Sequence, residues 1–350
     1  MKTLHIFNDP KFSVGYFKFL AEQGFNLTSH SLFHYRTRSK DASKFPLSST
    51  HSPSFFSIFP NLRLLHALFK ADKIIIHCLA SPFLVFYLFL FPSLCRKCYW
   101  VIWGKDLYLF HFEKNKRPYH HLYELFRKRV IYRIPFVVSN NEVDLRNAKE
   151  WYGLNARVFP SFSYPSNLYR SQPAFQQVPT DRVRILLGNS ADPSNNHEVI
   201  FERIEAVKVE KVDLFVPLSY GSKEHCKHII DLGESIFADR FHPLTESIPL
   251  KDYVRFLASI DIAVFAHERQ QAVGTINTLI GFGKKVYLSK NSSVRDQLEQ
   301  LGIKVFDLSN FDLSPIPEKV AEKNMAHLQR SFSPSELKSQ WVEIFEYWAG

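Results

Sequence analysis

The sequence is poor in cysteine, with only Cys78, Cys95, Cys98 and Cys226 among 350 residues. That density excludes a disulfide-stapled scaffold and favours a reducing compartment. Cys95 and Cys98 form a single Cys-x-x-Cys pair, and the chain has no second one. Because a structural zinc site generally takes four ligands, we expect ordinary thiols here and no metal.

Long hydrophobic runs are also missing. The most apolar stretch, residues 83–91, lies between two prolines and has about half the ~20 residues that a membrane-spanning helix needs. Residues 1–7 have the pattern of a strand and not of a signal peptide. We therefore expect a soluble or peripheral protein. As a helix, residues 83–91 would be apolar on every face, which favours a buried core helix.

The alternative for this run is shallow insertion into an anionic bilayer, since basic residues follow it. These are Arg96, Lys97, Lys114, Lys116, Arg117, Arg127, Lys128, Arg129 and Arg133. The formal net charge of +10 likewise favours anionic partners, unless it is only a generally basic surface. No nucleic-acid-binding motif appears and the basic residues form no single stripe, so we expect no nucleic-acid partner.

Strand patterns alternate with helical ones in two series, which predicts an α/β protein with two domains. The unbroken apolar strands favour parallel sheets buried on both faces. The predicted strands are residues 4–7, 73–78, 99–103, 136–139, 183–187, 212–216, 261–265 and 285–288. The predicted domains are residues 1–165 and 183–332, with a linker at 166–182 and a C-terminal helix at 333–350. We expect the two Rossmann-like domains to face each other across a cleft, with ligands at the carboxyl ends of the strands.

Three loops of the second domain follow strands and carry polar groups suited to a nucleotide. The first combines Gly188, which permits a tight turn, with Asn189, Ser190, Asp192 and Asn195 before a helix whose N-terminus attracts phosphate. The alternative interpretation of this loop is a polar turn in which Ser194 or Asn195 caps the helix. The second loop contributes Tyr220, which can stack on a base or is part of a simple turn.

The third loop is the most informative. Arg269 is a bidentate donor suited to a diphosphate, and Glu268 can accept hydrogen bonds from ribose. Gly274 and Thr275 lie where a helix begins, so their N–H groups can meet a phosphate. Gln270 and Gln271 stand between them.

In the first domain, the loop at residues 102–108 predicts acceptor contacts by Trp103, Lys105 and Tyr108. Asp106 is a candidate base for an acceptor hydroxyl, or else caps a helix, and Asp9 competes for the role of base. The chain has no Asp-x-Asp triplet to hold a cation on a nucleotide diphosphate. We therefore expect a transfer without metal or cofactor, in which helix ends and Arg269 stabilise the leaving diphosphate.

At these loops the chain resembles the TDP-N-acetylfucosamine:lipid II transferases of enterobacterial common antigen synthesis, which transfer 4-acetamido-4,6-dideoxy-galactose. The matching pieces are Trp103-Gly104-x-Asp106-Leu107-Tyr108, Gly188-Asn189-Ser190-x-Asp192-x-Ser194-Asn195-x-His197, Val216-Pro217 with Tyr220, and Arg269-Gln270-Gln271-x-x-Gly274-Thr275. They extend from about residue 70 to residue 300. Ala272, Val273, Ser219 and Gly221 depart from the family pattern.

The resemblance implies a GT-B fold whose C-terminal domain binds a dTDP-sugar. It also implies a peripheral enzyme on the cytoplasmic face of the bacterial inner membrane, with an undecaprenyl-diphosphate-linked saccharide as acceptor. Two alternatives stay open: a transferase for another dTDP- or UDP-sugar, and a non-catalytic nucleotide-sugar-binding protein.

Overall fold

The computed structural model describes residues 1–8, 10–34, 58–111, 116–171, 181–207 and 210–347, and these fall into two compact units. The first comprises residues 1–166 together with 334–350, and the second comprises residues 167–333. The helix predicted at the C-terminus therefore belongs with the first unit. Most of the predicted linker, residues 172–180, lies outside the described residues.

The first unit is a six-stranded parallel sheet with helices on both faces. Its strands are β1 (Thr3–Phe7), β2 (His30–His34), β3 (Lys73–His77), β4 (Cys98–Val101), β5 (Phe136–Val138) and β6 (Arg157–Phe159), in the order β2-β1-β3-β4-β5-β6. Its helices are α1 (Pro10–Glu22), α2 (Ile58–Lys70), α3 (Pro82–Leu90), α4 (Gly104–Leu107), α5 (Pro118–Arg133), α6 (Glu142–Tyr152) and α13 (Pro334–Glu346).

One face of this sheet is covered by α2, α3, α5 and α6. Leu64 of α2, Leu84 of α3 and Val130 of α5 are fully buried in one hydrophobic cluster with Ile74 and Ile76 of β3. Burial of such aliphatic side chains is the main term that holds a layer of helices to a sheet.

The opposite face carries α1 and α13 and is unusually polar. His5 Nε2 lies 2.9 Å from His30 Nδ1, and His5 Nδ1 lies 3.3 Å from His77 Nε2. The other nitrogen of His77 lies 2.6 Å from the hydroxyl of Tyr164, which also accepts from Trp103 Nε1 at 2.8 Å. Burial lowers the pKa of His5 and of His77 well below its usual value, so both rings are neutral at neutral pH.

Helix α13 is fixed to this face by one buried cation. Lys73 is 2% exposed, and its Nζ donates to the carbonyls of Ile344, Phe345 and Tyr347 at 2.6, 2.9 and 2.9 Å. The last carbonyls of a helix have no partners within the helix and carry its negative dipole end. Lys73 therefore satisfies both the hydrogen bonds and the charge at this terminus.

The second unit is another parallel sheet. Its strands are β7 (Val183–Leu187), β8 (Val212–Pro217), β9 (Phe241–Leu244), β10 (Ile262–Phe265), β11 (Lys285–Leu288) and β12 (Phe306–Asp307), in the order β12-β11-β10-β7-β8-β9. Its helices are α7 (His197–Ala206), α8 (Lys223–Phe237), α9 (Leu250–Ala258), α10 (Val273–Gly281), α11 (Ser293–Gln300) and α12 (Glu318–Ser331).

The predicted fold class is confirmed, and each of the eight predicted strands overlaps an observed one. The run at residues 83–91 differs from expectation. It forms α3, but Phe86 is 44% and Leu90 49% exposed, so the helix is not a fully buried core helix. No described helix has the length and hydropathy of a membrane span.

The Lys73 anchor predicts that Lys73→Met lowers the free energy of unfolding by about 3 kcal/mol, because buried carbonyls lose a charged donor. Urea denaturation of the full chain measures this. Lys338→Met is the matched control, because Lys338 is exposed on α13, the helix that Lys73 anchors. Its loss is expected to change the free energy of unfolding by less than about 0.5 kcal/mol. Equal effects of the two substitutions would contradict the anchoring role.

Candidate functional site

Three loops of the second unit lie side by side at the carboxyl end of its sheet. Strand β7 pairs with β8 on one side and with β10 on the other, all in parallel. The carboxyl ends of these strands therefore point the same way. The loops that follow them, residues 188–196, 218–222 and 266–272, are the three loops predicted to bind the donor.

The first two loops are joined through their backbones. Ala191 N donates to Tyr220 O at 2.7 Å, and Ser222 N donates to Ala191 O at 2.9 Å. Gly221 has φ +125, and a Cβ on it would lie 2.4 Å from the carbonyl carbon of Ala191. Only glycine fits this backbone conformation and this close approach.

Side chains connect the outer two loops to the central one. Asn189 Nδ2 donates to the Tyr220 hydroxyl at 2.8 Å, while its Oδ1 accepts from Gln271 Nε2 at 2.8 Å. The Ser194 hydroxyl oxygen lies 3.0 Å from Gln271 Oε1. Asn189 thus lies between the other two loops, and Tyr220, at 59% exposed, presents its ring to solvent.

Arg269 forms the site's one ion pair across loops among the described residues. Its Nη2 lies 3.4 Å from Asp192 Oδ2, and the two side chains are 12% and 35% exposed. The other oxygen of Asp192 accepts from the backbone and hydroxyl of Ser194 at 3.0 and 2.7 Å. At 3.4 Å this pair is longer than a typical charge-assisted hydrogen bond.

Helix α10 begins at Val273, so Gly274 and Thr275 lie in its first turn as predicted. Ala272 takes the cap position with φ 57 and supplies no capping side chain. The N–H groups of a helix's first turn have no intrahelical acceptors and attract anions. The Thr275 hydroxyl lies 3.4 Å from the hydroxyl of Tyr253 on α9, a neighbour that the sequence motifs did not reveal.

Asn195 and Ser190 support the first loop from within. Asn195 is fully buried, its Oδ1 accepts from Asn189 N at 3.0 Å, and its Nδ2 lies within 3.0 Å of Ser190 O, Ser190 Oγ and Asp192 O. This geometry gives Asn195 a loop-shaping role in place of the predicted donor contact. Neither Ser194 nor Asn195 caps α7, since that helix begins only at His197.

The remaining predicted donor residues differ in exposure. Gly188 has φ 66, and a Cβ on it would lie 2.8 Å from His197 Nε2, so this turn also excludes larger residues. Glu268 is exposed and Gln270 is half-buried. The carbonyl of Glu268 accepts from Ser293 N at 2.8 Å, which ties the third loop to the start of α11.

His267 is a site residue that the loop motifs did not single out. Its ring is fully buried, and its Nδ1 lies 3.1 Å from Arg269 O. The Nδ1–H therefore donates to this carbonyl, and Nε2 has no partner among the described residues. Burial and the charge of Arg269 lower the pKa of His267 to about 3. The neutral ring holds the main chain of Arg269 in place.

In the first unit, Asp106 is fully buried and saturated with donors. Its Oδ2 accepts from Leu79 N at 2.6 Å and Trp100 Nε1 at 2.7 Å, and its Oδ1 accepts from Trp103 N and Leu107 N at 2.9 and 3.0 Å. Burial raises the pKa of Asp106 to about 6, against the opposing effect of these bonds. Having no lone pair left for a substrate hydroxyl, Asp106 does not fit the role of catalytic base. It is not the predicted cap residue either: it lies in the first turn of α4, where its side chain accepts from the backbone N–H of the cap residue Trp103.

The other residues predicted to contact the acceptor differ in their exposure. Tyr108 is buried, and its hydroxyl lies between Asp144 Oδ1 at 3.0 Å and Asn147 Nδ2 at 2.8 Å, so it belongs to the core and not to an acceptor surface. Trp103 is half-buried and Lys105 is exposed, so both are accessible to a ligand. Asp9 lies outside the described residues. No cluster of potential metal ligands occurs among the described residues.

Comparison with known families identifies the class of this site. The model of the family described as 4-alpha-L-fucosyltransferase glycosyl transferase group 56 matches residues 69–348, about four-fifths of the chain. The chain belongs to this family. It is therefore a glycosyltransferase.

Solved structures similar to this transferase have the same fold. HepE of Anabaena, crystallised with UDP-glucose, matches with TM-score 0.71 and 12% identity over 99% of both chains. A glycosyltransferase from Rickettsia africae matches with TM-score 0.69 and 11% identity, covering 99% of this chain and 97% of its own. WaaG, a glycosyltransferase involved in lipopolysaccharide biosynthesis, matches with TM-score 0.59 and 12% identity, covering 97% and 93%. The fold is therefore that of GT-B glycosyltransferases.

The contact between the first two loops predicts that Gly221→Ala lowers the free energy of unfolding of the transferase by about 3 kcal/mol, through backbone strain and the clash with Ala191. Gly24→Ala separates the two causes, because Gly24 has φ +81 but open space around it. This control is expected to lose only about 1 kcal/mol in thermal or urea denaturation. Equal losses would show that the contact adds nothing to the strain.

The buried neutral His267 predicts a loss of stability in acid. Its pKa is about 3 in the folded chain, against an ordinary 6.5. Between these two pH values the unfolded chain binds more protons at this residue than the folded chain does. The stabilisation by the neutral His267 ring is therefore complete above pH 6.5 and falls as the pH falls. We expect His267 to account for about 2 kcal/mol lost between pH 7 and pH 5. Urea denaturation of His267→Asn, which keeps a donor for Arg269 O, should show a correspondingly flatter pH dependence. The exposed His66→Asn should keep the slope of the parent chain.

Proposed function

We propose that this transferase moves 4-acetamido-4,6-dideoxy-galactose from its dTDP donor to an undecaprenyl-diphosphate-linked saccharide. The acceptor is lipid II of enterobacterial common antigen or of a related surface polysaccharide. The enzyme would work as a peripheral protein on the cytoplasmic face of the inner membrane. The observation that carries the proposal is the joining of three loops through Asn189 and Arg269 at the carboxyl ends of β7, β8 and β10.

The donor site is suited to a nucleoside diphosphate. Arg269 and the start of α10 offer positive charge and N–H donors, while the exposed ring of Tyr220 offers a face for a base. When the glycosidic bond to the diphosphate breaks, negative charge grows on the leaving group. Donors that are already oriented stabilise this charge without reorganisation, so we propose a transfer that needs no metal.

The identity of the sugar is supported by the matched sequence motifs and by the family. The family description names fucosyl transfer, and fucose and 4-acetamido-4,6-dideoxy-galactose are both 6-deoxy sugars of galacto configuration. For the acceptor, Trp103 and Lys105 remain candidates, at the start of the short helix α4 that follows β4. With Asp106 saturated, Asp9 is the candidate base.

A second candidate donor is a UDP-sugar, since the structurally similar HepE was crystallised with UDP-glucose. Thermal-shift titration with dTDP, UDP, GDP and CMP separates the two, because a ligand that binds only the native state raises the melting temperature. We expect a clear shift with dTDP. A larger shift with UDP would replace the proposed donor class.

The role of Arg269 predicts that Arg269→Ala weakens dTDP binding by about 2 kcal/mol, roughly 30-fold, through loss of a charge-assisted pair. Isothermal titration calorimetry measures the affinity. Arg182→Ala is the matched control: Arg182 is also partly buried and pairs with Asp213 at 3.1 Å, but it precedes β7 at the opposite end of the strand. Unchanged dTDP affinity in Arg269→Ala, or equal losses in both variants, would refute the assignment.

A further inference from the structure

Helices α2, α3 and α5 form one layer, and its outward side carries large apolar side chains. Phe69 of α2 is 51% exposed, Phe86 and Leu90 of α3 are 44% and 49% exposed, and Leu122 and Leu125 of α5 are 55% and 54% exposed. Ring contacts connect the three helices, with Phe69 and Phe91 at 5.3 Å and Phe89 and Phe126 at 4.5 Å. We call the outward side of α2, α3 and α5 the apolar–basic surface.

The exposed apolar side chains of this surface are arranged in helical stripes. Phe86 and Leu90 are four residues apart on α3, a helix that contains no charged residue. On α5, Leu122, Leu125 and Tyr132 follow one another at helical spacing, with Tyr132 64% exposed. An exposed apolar patch of contiguous helices, in contrast to isolated apolar residues, marks an interaction surface.

Basic residues border and interrupt the stripes. Arg96, Lys128, Arg129 and Arg133 are exposed, and none has a carboxylate partner among the described residues. The nearby Glu124 is already engaged by Arg127, whose Nε lies 2.8 Å from its carboxylate. The surface therefore combines apolar side chains with positive charge that no described carboxylate neutralises.

We infer that the apolar–basic surface binds an anionic lipid bilayer, with its aromatic and leucine side chains at the boundary of headgroups and acyl chains and its basic side chains on lipid phosphates. Arg129 lies within the apolar stripe of α5, between Leu125 and Tyr132. An anionic bilayer offers phosphate across its whole surface, so it can pair with a cation in the middle of an apolar stripe as well as with the cations at its border. This inference rests on the proposed lipid-linked acceptor for its purpose, but not for its physical basis.

The test is co-sedimentation of the full chain with vesicles of phosphatidylethanolamine and phosphatidylglycerol, containing no saccharide acceptor. We expect binding that is much weaker on pure phosphatidylcholine and that falls as salt rises. The triple variant Lys128→Gln, Arg129→Gln, Arg133→Gln should lose at least tenfold in vesicle binding. The double variant Leu122→Ser, Leu125→Ser should lose at least tenfold as well.

Matched controls lie on the second unit. Arg203, Lys227 and Lys251 are exposed bases, and their change to Gln should leave vesicle binding within twofold. Val199 and Leu250 are 44% and 63% exposed, and their change to Ser should be equally silent. Equal losses in controls and test variants would overturn the inference. Equal binding of the parent chain to neutral and anionic vesicles would also overturn it. The same holds if the test variants lose self-association but keep their vesicle binding.

The dTDP thermal shift, measured without vesicles on the same variants, separates this inference from the proposed function. If the parent chain shows a normal dTDP shift but binds no lipid, only the lipid-binding role of the apolar–basic surface is overturned. If it binds anionic lipid selectively but shows no thermal shift with any nucleotide, only the proposed donor site is overturned.

Discussion

The candidate donor site depends on the parallel pairing of β7 between β8 and β10. This pairing brings together three loops that are up to about 80 residues apart in sequence. Their order comes from the contact of Ala191 with Gly221 and from the two hydrogen bonds of the Asn189 side chain. A loop ordered in this way presents its polar groups before a ligand arrives, which reduces the entropy lost on binding.

The predicted and observed strands differ in a systematic way. The predicted strands are all interior to the two sheets, where burial on both faces favours apolar runs such as Ile74, Ile75 and Ile76 of β3. The four strands without a prediction, β2, β6, β9 and β12, are the four sheet edges. An edge strand pairs on one side only and tolerates residues such as the exposed Arg157 in β6 or Pro243 in β9. Its local sequence therefore lacks the apolar signal.

The candidate site shows a similar division. The loops and their positions after strands could be predicted because small polar residues and glycine follow apolar runs. Which side chains face a ligand could not, since this depends on contacts distant in sequence. Asp106 is saturated by Leu79 and Trp100, and Asn195 by its own loop, whereas Asp192 meets Arg269 from 77 residues away. The burial of the His267 ring likewise depends on the folded conformation of the third loop, so it could not be predicted from the local sequence.

The position of α13 has a consequence for how the chain is made. Lys73, on a central strand of the first unit, binds the end of a helix that is synthesised after the whole second unit. Until residues 334–347 leave the ribosome, the polar face with His5 and His77 has no cover from Trp341 and Phe345. The second unit, in contrast, is continuous in sequence and can close on itself first. The first unit is therefore completed only after the second unit has been synthesised, although most of its own residues precede it.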